Sequence, residues 1–261
     1  MSPTLGLCFA HPDDETYSSF GTVALHAADP GFRLAVLHAT DGGAGEVAPG
    51  VEVGPDGLGA LRRLEDDRAW MAVGLVPDRH DWLDLPDGEV DAVPFPVLVD
   101  RVATFLDEER PDVVVTFGPD GVTGHPDHIA VGAATDEAFH RVRADGGPGL
   151  RRLLHGAIRQ SWFDRHQAWR VANGFEPWVP DRLYHLRGTP DAQIGVDVRT
   201  SPVSAQVLAG LREHRSQAHV LMPAGLADGT LSLGTRETHV VAWPVRRPED
   251  PCLSDVFEGL D

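Results

Sequence analysis

Two short segments with the same unusual residue content follow two apolar runs, and they constrain the fold more than any other feature. Leu5–Ala10 is followed at once by His11-Pro12-Asp13-Asp14-Glu15, and Val113–Phe117 is followed a few residues later by His125-Pro126-Asp127-His128. An apolar run that gives way to proline and acidic residues is typical of a strand that turns into a helix. The pattern predicts two strand-to-helix corners, each carrying imidazole and carboxylate side chains.

The rest of the first half alternates between apolar runs of strand length and helical stretches, which indicates a parallel α/β sheet. We predict strands at Leu5–Ala10, Arg33–Thr40, His80–Leu85, Asp112–Phe117, Leu153–Ile158 and Thr238–Trp243. We predict helices at Glu15–Ala28, Leu58–Val73, Phe95–Glu109, Pro126–Arg143, Ser161–Val171 and Ser201–Gln217. The second of these helices is expected to bury Leu61, Leu64, Ala69 and Met71. The fold class is therefore a Rossmann-like, mostly parallel sheet with helices on both faces and a less regular C-terminal portion.

A chain of 261 residues fits one domain. We expect a core at 1–145, a C-terminal portion at 150–247 that completes the cleft, and a loosely packed acidic tail at 248–261. In a doubly wound sheet with strand order 3-2-1-4-5, the first and fourth strands are neighbours, and ligands bind beyond their carboxyl ends. The two corners would then face one crevice.

Composition excludes several classes of partner. Lys and Arg number 22 against 40 Asp and Glu, a formal net charge of -18, which argues against nucleic acid and anionic membranes. Cys8 and Cys252 are the two cysteines, so no disulfide framework is indicated. No apolar stretch approaches the length of a membrane span or a signal peptide, and a cytoplasmic location fits best. The acidic surface neither requires nor excludes a homo-oligomer.

The corners together hold the donors of a catalytic zinc site, which uses three protein ligands and one open position. His11, Asp14 and His128 supply nitrogen, oxygen and nitrogen. Asp13 and His125 are left as the acid and base, and Asp127 could orient His125. Ferrous iron accepts the same donors. Helix capping alone would explain the carboxylates, but it gives no reason for imidazole at both corners.

These residues resemble the LmbE-like (PIG-L-type) zinc-dependent N-acetylglucosaminyl deacetylases. The resemblance rests on the two His-Pro-Asp segments and on Ala10 before the first of them. It extends over most of the chain through Thr40-Asp41-Gly42, Arg62 with Glu65, Leu85-Pro86-Asp87-Gly88 and His214-Arg215-Ser216-Gln217. Gly43 departs from the pattern, since many members carry an acidic residue there.

The resemblance implies that the protein is a metal-dependent hydrolase that removes an N-acetyl group from an N-acetylglucosamine-type conjugate. His11, Asp14 and His128 would hold Zn²⁺, Asp13 would act as base, and a protonated His125, tuned by Asp127, would stabilise the oxyanion. Arg62, Asp87 and His214 would contact the amino-sugar substrate.

Three alternatives stay open at this point. The same chemistry could act on a different N-acyl compound, such as a thiol conjugate, because the shared residues handle only the amide. A structural metal protein with a closed four-ligand site is the second. A Rossmann-like nucleotide binder without hydrolysis is the third, with Gly42-Gly43-Ala44-Gly45 as its candidate phosphate loop. That loop lacks the G-x-G-x-x-G pattern.

Overall fold

A computed structural model describes residues 3–221, 235–247 and 249–260 of the chain. Residues 222–234 of the predicted C-terminal portion, and residues 248 and 261 of the predicted tail, lie outside the described residues. None of the helices in the described part of the chain combines the length and apolarity needed to cross a membrane.

The centre of the molecule is one sheet of seven strands, within the described residues, in the order β3-β2-β1-β4-β5-β7-β6. The strands are β1 Thr4–Phe9, β2 Arg33–His38, β3 Arg79–Trp82, β4 Val113–Phe117, β5 Arg152–Gly156, β6 Val196–Arg199 and β7 Arg236–Trp243. The first five strands pair in parallel, and β6 and β7 are antiparallel. The predicted order 3-2-1-4-5 is confirmed.

Helices cover both faces of this sheet, as predicted. They are α1 Asp14–Ser18, α2 Phe20–His26, α3 Gly57–Val73, α4 Phe95–Glu109, α5 Gly121–Gly124, α6 Pro126–Ala144, α7 Gln160–Ala172, α8 Ser204–Glu213 and α9 Ala218–Leu221. Short 3-10 turns lie at Val90–Ala92, Asp191–Gln193, Ser201–Val203 and Arg215–Gln217. Helices α4 and α6 pack together, and α3 packs with α8. The central strands are mostly apolar because both of their faces are covered.

Several predicted elements differ from the structure. The single helix expected over Glu15–Ala28 is two helices, because Ser19 leaves the helical region with φ −145°. The helix expected over Ser201–Gln217 is divided among a 3-10 turn, α8 and a second 3-10 turn. Strand β6 was not predicted, since its Val-Asp-Val-Arg sequence is too short to give a clear pattern.

The buried face of α3 also differs from the prediction. Leu64 and Met71 are exposed, whereas Arg62, Glu65 and Asp66 are buried together with Trp70. Apolar periodicity failed here because this helix turns charged residues toward the interior, where they find partners around the site described below.

The C-terminal residues are integrated into the fold rather than loosely packed. Val256 is 1% exposed, and Arg152 of β5 donates hydrogen bonds to the carbonyl oxygens of Val256 and Glu258. Leu253 forms a bridge to Val196 of β6. Strands β5 to β7 come from the predicted C-terminal portion, and they extend the sheet that β1 to β4 of the predicted core begin.

Glu237 of β7, which is distant in sequence, accepts hydrogen bonds from the start of α2. Its carboxylate accepts hydrogen bonds from the Gly21 N–H at 2.5 Å, the Thr22 N–H at 2.9 Å and the Thr22 hydroxyl at 2.5 Å. We expect Glu237→Ala to lower the free energy of unfolding by about 2–4 kcal/mol, because it leaves three buried donors without an acceptor. Urea denaturation measures the change.

Glu249→Ala is the control for that measurement. The Glu249 side chain is 67% exposed and lies 3.7 Å from the Arg247 guanidinium, so its removal should change stability by less than about 0.5 kcal/mol. Equal urea midpoints for the two variants would contradict the capping role of Glu237.

Candidate metal centre and active site

The two His-Pro-Asp corners meet at one edge of the sheet. β1 and β4 are adjacent parallel strands, with Leu5 opposite Val113 and Leu7 opposite Val115. Their carboxyl ends therefore point to the same edge, and the chain leaves them toward the helices α1 and α6. The spatial prediction made from the two sequence segments is confirmed.

Three side chains converge between the corners. Nδ1 of His11 lies 3.2 Å from Nε2 of His128 and 3.4 Å from Oδ2 of Asp14, and Nε2 of His128 lies 3.2 Å from Oδ1 of Asp14. Tetrahedral ligands at about 2.0–2.1 Å from a zinc-like ion are about 3.3 Å apart. The spacing of these donors therefore fits a divalent metal.

The other nitrogen of each imidazole is already engaged, which leaves the converging nitrogen as the one that faces a metal. Nδ1 of His128 donates to the carbonyl oxygen of Gly121 at 3.0 Å. Nε2 of His11 faces Oδ1 of Asp87 at 3.0 Å and Oδ2 of Asp127 at 3.3 Å. Such outer hydrogen bonds fix the ring tautomer and orientation in metal sites.

Asp127 orients His11 instead of the predicted His125. Its fully buried carboxylate also accepts the N–H groups of Gly88 at 2.8 Å and Val90 at 3.1 Å, in the turn that follows β3. The physical reason lies in the start of α6. There the backbone N–H of Asp127 donates to Nδ1 of His125, so His125 binds the Asp127 backbone while the carboxylate points to the opposite side.

His125 caps its own helix and lies beside the metal ligands. Its ring stacks on His128 with centroids 4.6 Å apart and contacts the ring of Tyr184 edge-on at 5.1 Å. Because Nδ1 accepts a backbone N–H at 3.1 Å, the ring proton belongs on Nε2. Burial lowers the pKa of His125, which favours the neutral ring over the protonated one expected from the sequence.

A group of three imidazoles is the rival ligand set at this place. Nitrogen atoms of His11, His125 and His128 lie within 4.8 Å of one another. The Asp14 set is the tighter one, since its separations are 3.2–3.4 Å.

Asp13 and Asp14 are adjacent acids in opposite electrostatic environments. Burial raises the pKa of Asp13, an effect that the Arg62 guanidinium opposes without cancelling. For Asp14 burial also favours the neutral acid, but His128 and His11 outweigh it and hold the pKa below its usual range. A raised pKa suits a proton carrier and a lowered pKa suits a metal ligand.

Arg62 was predicted to contact substrate, but it lies beneath the site and is 5% exposed. Its guanidinium donates to Oδ2 of Asp13 at 3.0 Å, to the Pro12 carbonyl at 2.7 Å and to the Gly42 carbonyl at 2.9 Å. Gly42 has φ 68°, and a Cβ there would lie 2.1 Å from Nη1 of Arg62. The loop after β2 therefore closes on Arg62 only because this residue is glycine.

The other two predicted substrate residues also make polar contacts within the protein. His214 is 1% exposed, and its Nε2 lies 3.4 Å from the Thr16 hydroxyl. Asp87 accepts the Ala44 N–H at 2.8 Å in addition to its contact with His11, and its side chain is 11% exposed. Among Arg62, Asp87 and His214, Asp87 has the most exposed side chain.

Sequence reasoning gave no structural role to a set of polar residues below the corners. Glu15, His38, Glu65 and Asp66 are buried, and His80 is 15% exposed. Burial raises the pKa of Glu15 to about 8 and raises that of Asp66 well above its usual range. Glu65 accepts the N–H of Ser216 at 2.8 Å and its hydroxyl at 2.6 Å. The spacing of Arg62, Glu65 and Asp66, which places them on one face of α3, was the available signal.

Comparisons with known proteins place this geometry in context. The family model for PIG-L, described as GlcNAc-PI de-N-acetylase, matches residues 7–139. The 1D-myo-inositol 2-acetamido-2-deoxy-alpha-D-glucopyranoside deacetylase of Saccharomonospora viridis is 31% identical, over 96% of this chain and 98% of its own. Deacetylase 1 of the same name from Saccharopolyspora erythraea is 30% identical, over 99% of this chain and 94% of its own.

Solved structures with the same fold carry different activities in their names. A conserved protein from Thermus thermophilus has a TM-score of 0.60 at 23% identity, covering 96% of this chain and 100% of its own. The N,N'-diacetylchitobiose deacetylase of Pyrococcus horikoshii has a TM-score of 0.57 at 20% identity, covering 92% of this chain and 84% of its own. A 4-carboxy-2-hydroxymuconate hydratase from Pseudomonas putida has a TM-score of 0.59 at 17% identity, covering 95% of this chain and 98% of its own. At these identities the likeness shows the fold, and the fold alone does not decide the reaction.

Metal content separates the two ligand sets. We expect His128→Ala to lose bound metal after zinc loading and desalting, as should His11→Ala and Asp14→Ala, because each removes one of three converging donors. His125→Ala, three residues before His128, is the matched control and should keep about one ion per chain. Elemental analysis measures the content. Loss of metal from the His125 variant with retention in the His128 variant would favour the three-imidazole set.

Proposed function

The chain belongs to the PIG-L (GlcNAc-PI de-N-acetylase) family, and we propose on this basis that it is a metal-dependent N-deacetylase of an N-acetylglucosamine conjugate. The observation that carries the proposal is the convergence of His11, Asp14 and His128 donors at 3.2–3.4 Å beside Asp13. The curated relatives are named for an inositol conjugate of N-acetylglucosamine, which makes that compound the first substrate to test.

Zinc is the metal that we propose. Two imidazole nitrogens and one carboxylate oxygen are usual ligands of catalytic zinc, and Fe²⁺ accepts the same set. When bound, the ion would lower the pKa of a water molecule and polarise the carbonyl of the amide. His11, Asp14 and His128 are the residues that would hold it.

Asp13 is the proposed base, and it accepts a proton from the attacking water. Its raised pKa favours holding that proton until it is given to the amine nitrogen as the C–N bond breaks. Arg62 keeps the carboxylate in one orientation through its 3.0 Å contact. The products are acetate and a free amine.

His125 is the proposed hydrogen-bond donor to the oxyanion that forms from the amide carbonyl. The support for this role is the Nε2–H tautomer that follows from the Asp127 N–H bond to Nδ1. A neutral imidazole can donate this hydrogen bond without first being protonated. Asp127 would act one step away, by orienting His11 at 3.3 Å.

The nucleotide-binding alternative is disfavoured by the Gly42–Gly45 loop. A phosphate cradle needs backbone N–H groups that are free to point at the ligand. In this loop the four N–H groups donate to protein acceptors, namely the Thr40 hydroxyl, Asp41 Oδ1, Asp87 Oδ2 and the Gly42 carbonyl. A different N-acyl substrate, such as a thiol conjugate, stays the second candidate.

An amine-release assay tests the proposal. We expect the zinc-loaded protein to release amine and acetate from 1D-myo-inositol 2-acetamido-2-deoxy-alpha-D-glucopyranoside, to stop after chelation and to recover when zinc is returned. N-acetylglucosamine and an N-acyl thiol conjugate complete the panel. Activity that survives complete metal removal, or no activity on any N-acetylated amino sugar, would contradict the proposal.

A single substitution tests the role of Asp13. Asp13→Asn should lower kcat by about 10²–10⁴-fold, because the amide cannot accept the proton, while metal content stays unchanged. Asp145→Asn, an exposed position at the end of α6, is the control and should retain full activity. Deacetylation by the Asp13 variant at the rate of the unmodified protein would remove Asp13 from the mechanism.

A further inference from the structure

A chain of buried polar side chains runs from β3 to the backbone of Asp13. Glu15, which is fully buried, accepts the Asp13 N–H on Oε1 at 3.3 Å. Its Oε2 lies 3.1 Å from Nε2 of His38, and Nδ1 of His38 lies 2.9 Å from Nε2 of His80. The contacts form one unbroken path, and His38 is its middle member.

The path ends at a strained backbone position of the site. Asp13 has φ 99°, in the left-handed region that non-glycine residues rarely adopt. Such a conformation persists only when surrounding contacts determine it. Arg62 holds the carboxylate of Asp13 and the Pro12 carbonyl, and Glu15 holds the Asp13 N–H. The position of the base therefore depends on Glu15 as well as on Arg62.

The location of His38 follows from strand register. His38 is the last residue of β2, and it lies opposite Phe9, the last residue of β1. Its ring therefore lies next to the corner that carries His11 to Glu15, and it is fully buried. A polar side chain with two ring nitrogens can bridge Glu15 and His80 at this place, whereas an apolar side chain cannot.

The same cluster also resembles a metal site, but its distances fit hydrogen bonds better. Donor atoms of His38, Asp66 and His80 lie within 4.8 Å of one another. The 2.9 Å between the two imidazole nitrogens is a hydrogen-bond length, and it is shorter than the separation of about 3.3 Å expected for tetrahedral ligands. Asp66 is farther away, with Oδ2 3.6 Å from Nε2 of His80.

We propose that His38 is a positioning residue for Asp13: it holds Glu15, and Glu15 holds the Asp13 peptide in its left-handed conformation. Within the described residues, the hydrogen bonds of His38 go to Glu15 and His80 and not to a metal ligand, and its side chain is fully buried. The inference rests on the proposed function only in that Asp13 is the base, and the geometry of the Asp13 peptide can be measured without any activity.

The test compares His38→Leu with His38→Gln. Leucine fills the space but breaks both hydrogen bonds. Glutamine can donate to or accept from Glu15 and His80. We expect the leucine variant to lose about 10–100-fold in kcat, as for other residues that orient groups of an active site, with KM and metal content unchanged. The glutamine variant should recover most of the lost kcat.

A second readout uses the metal-free protein without substrate. The amide ¹H–¹⁵N resonance of Asp13 should shift in His38→Leu and return toward its original position in His38→Gln. His155→Leu is the matched control: His155 is 8% exposed and hydrogen-bonded to Asp136 at 2.8 Å, away from this path. It should leave the Asp13 resonance and kcat unchanged even if it lowers stability.

The outcomes are distinct. An unchanged kcat and Asp13 resonance in folded His38→Leu would overturn the proposal. So would a metal content of two ions per chain in the unmodified protein that falls to one in His38→Leu, because His38 would then be a metal ligand. If His38→Leu does not fold, His80→Leu replaces it, since this ring is 15% exposed at the outer end of the path; the same pattern is expected, and its absence overturns the proposal. Inactivity of the unmodified protein on every substrate, with the resonance shift present, would count against the proposed function alone.

Discussion

The parallel pairing of β1 with β4 is the constraint on which the site depends. It brings residues that are distant in sequence to one edge of the sheet, so that the donors of His11 and His128 meet at 3.2 Å. Neither corner alone offers more than a helix start with acidic residues. The fold therefore makes the site by adjacency of strands, and the helices that follow each strand fix the direction of the side chains.

Burial of charge decides how the two adjacent acids differ. Asp14 faces two imidazoles, which hold its pKa low, whereas Asp13 turns toward Arg62, which only partly offsets the cost of burial. This arrangement requires charged residues in the interior, and α3 supplies them on its inner face. Hydrogen bonds offset part of the free-energy cost of burying these groups, as between Glu65 and Ser216.

Much of the fold and the meeting of the corners could be predicted from the sequence, because apolar strand runs and His-Pro-Asp segments are local signals. The direction of single side chains could not. The carboxylate of Asp127 contacts His11 and not His125, because the backbone N–H of Asp127 already donates to the imidazole of His125. Arg62 and His214 were assigned to the cleft by the family resemblance, yet both are buried here as partners of other polar groups.

The identity of the metal ligands is the central claim, and X-ray absorption spectroscopy of the zinc-loaded protein tests it most directly. The account predicts a first shell with two imidazoles, from His11 and His128, and oxygen donors for the remainder, at about 2.0–2.1 Å. The spectrum should be unchanged in His125→Ala. A first shell with three imidazoles that loses one in His125→Ala would contradict the assignment of Asp14 as the third ligand.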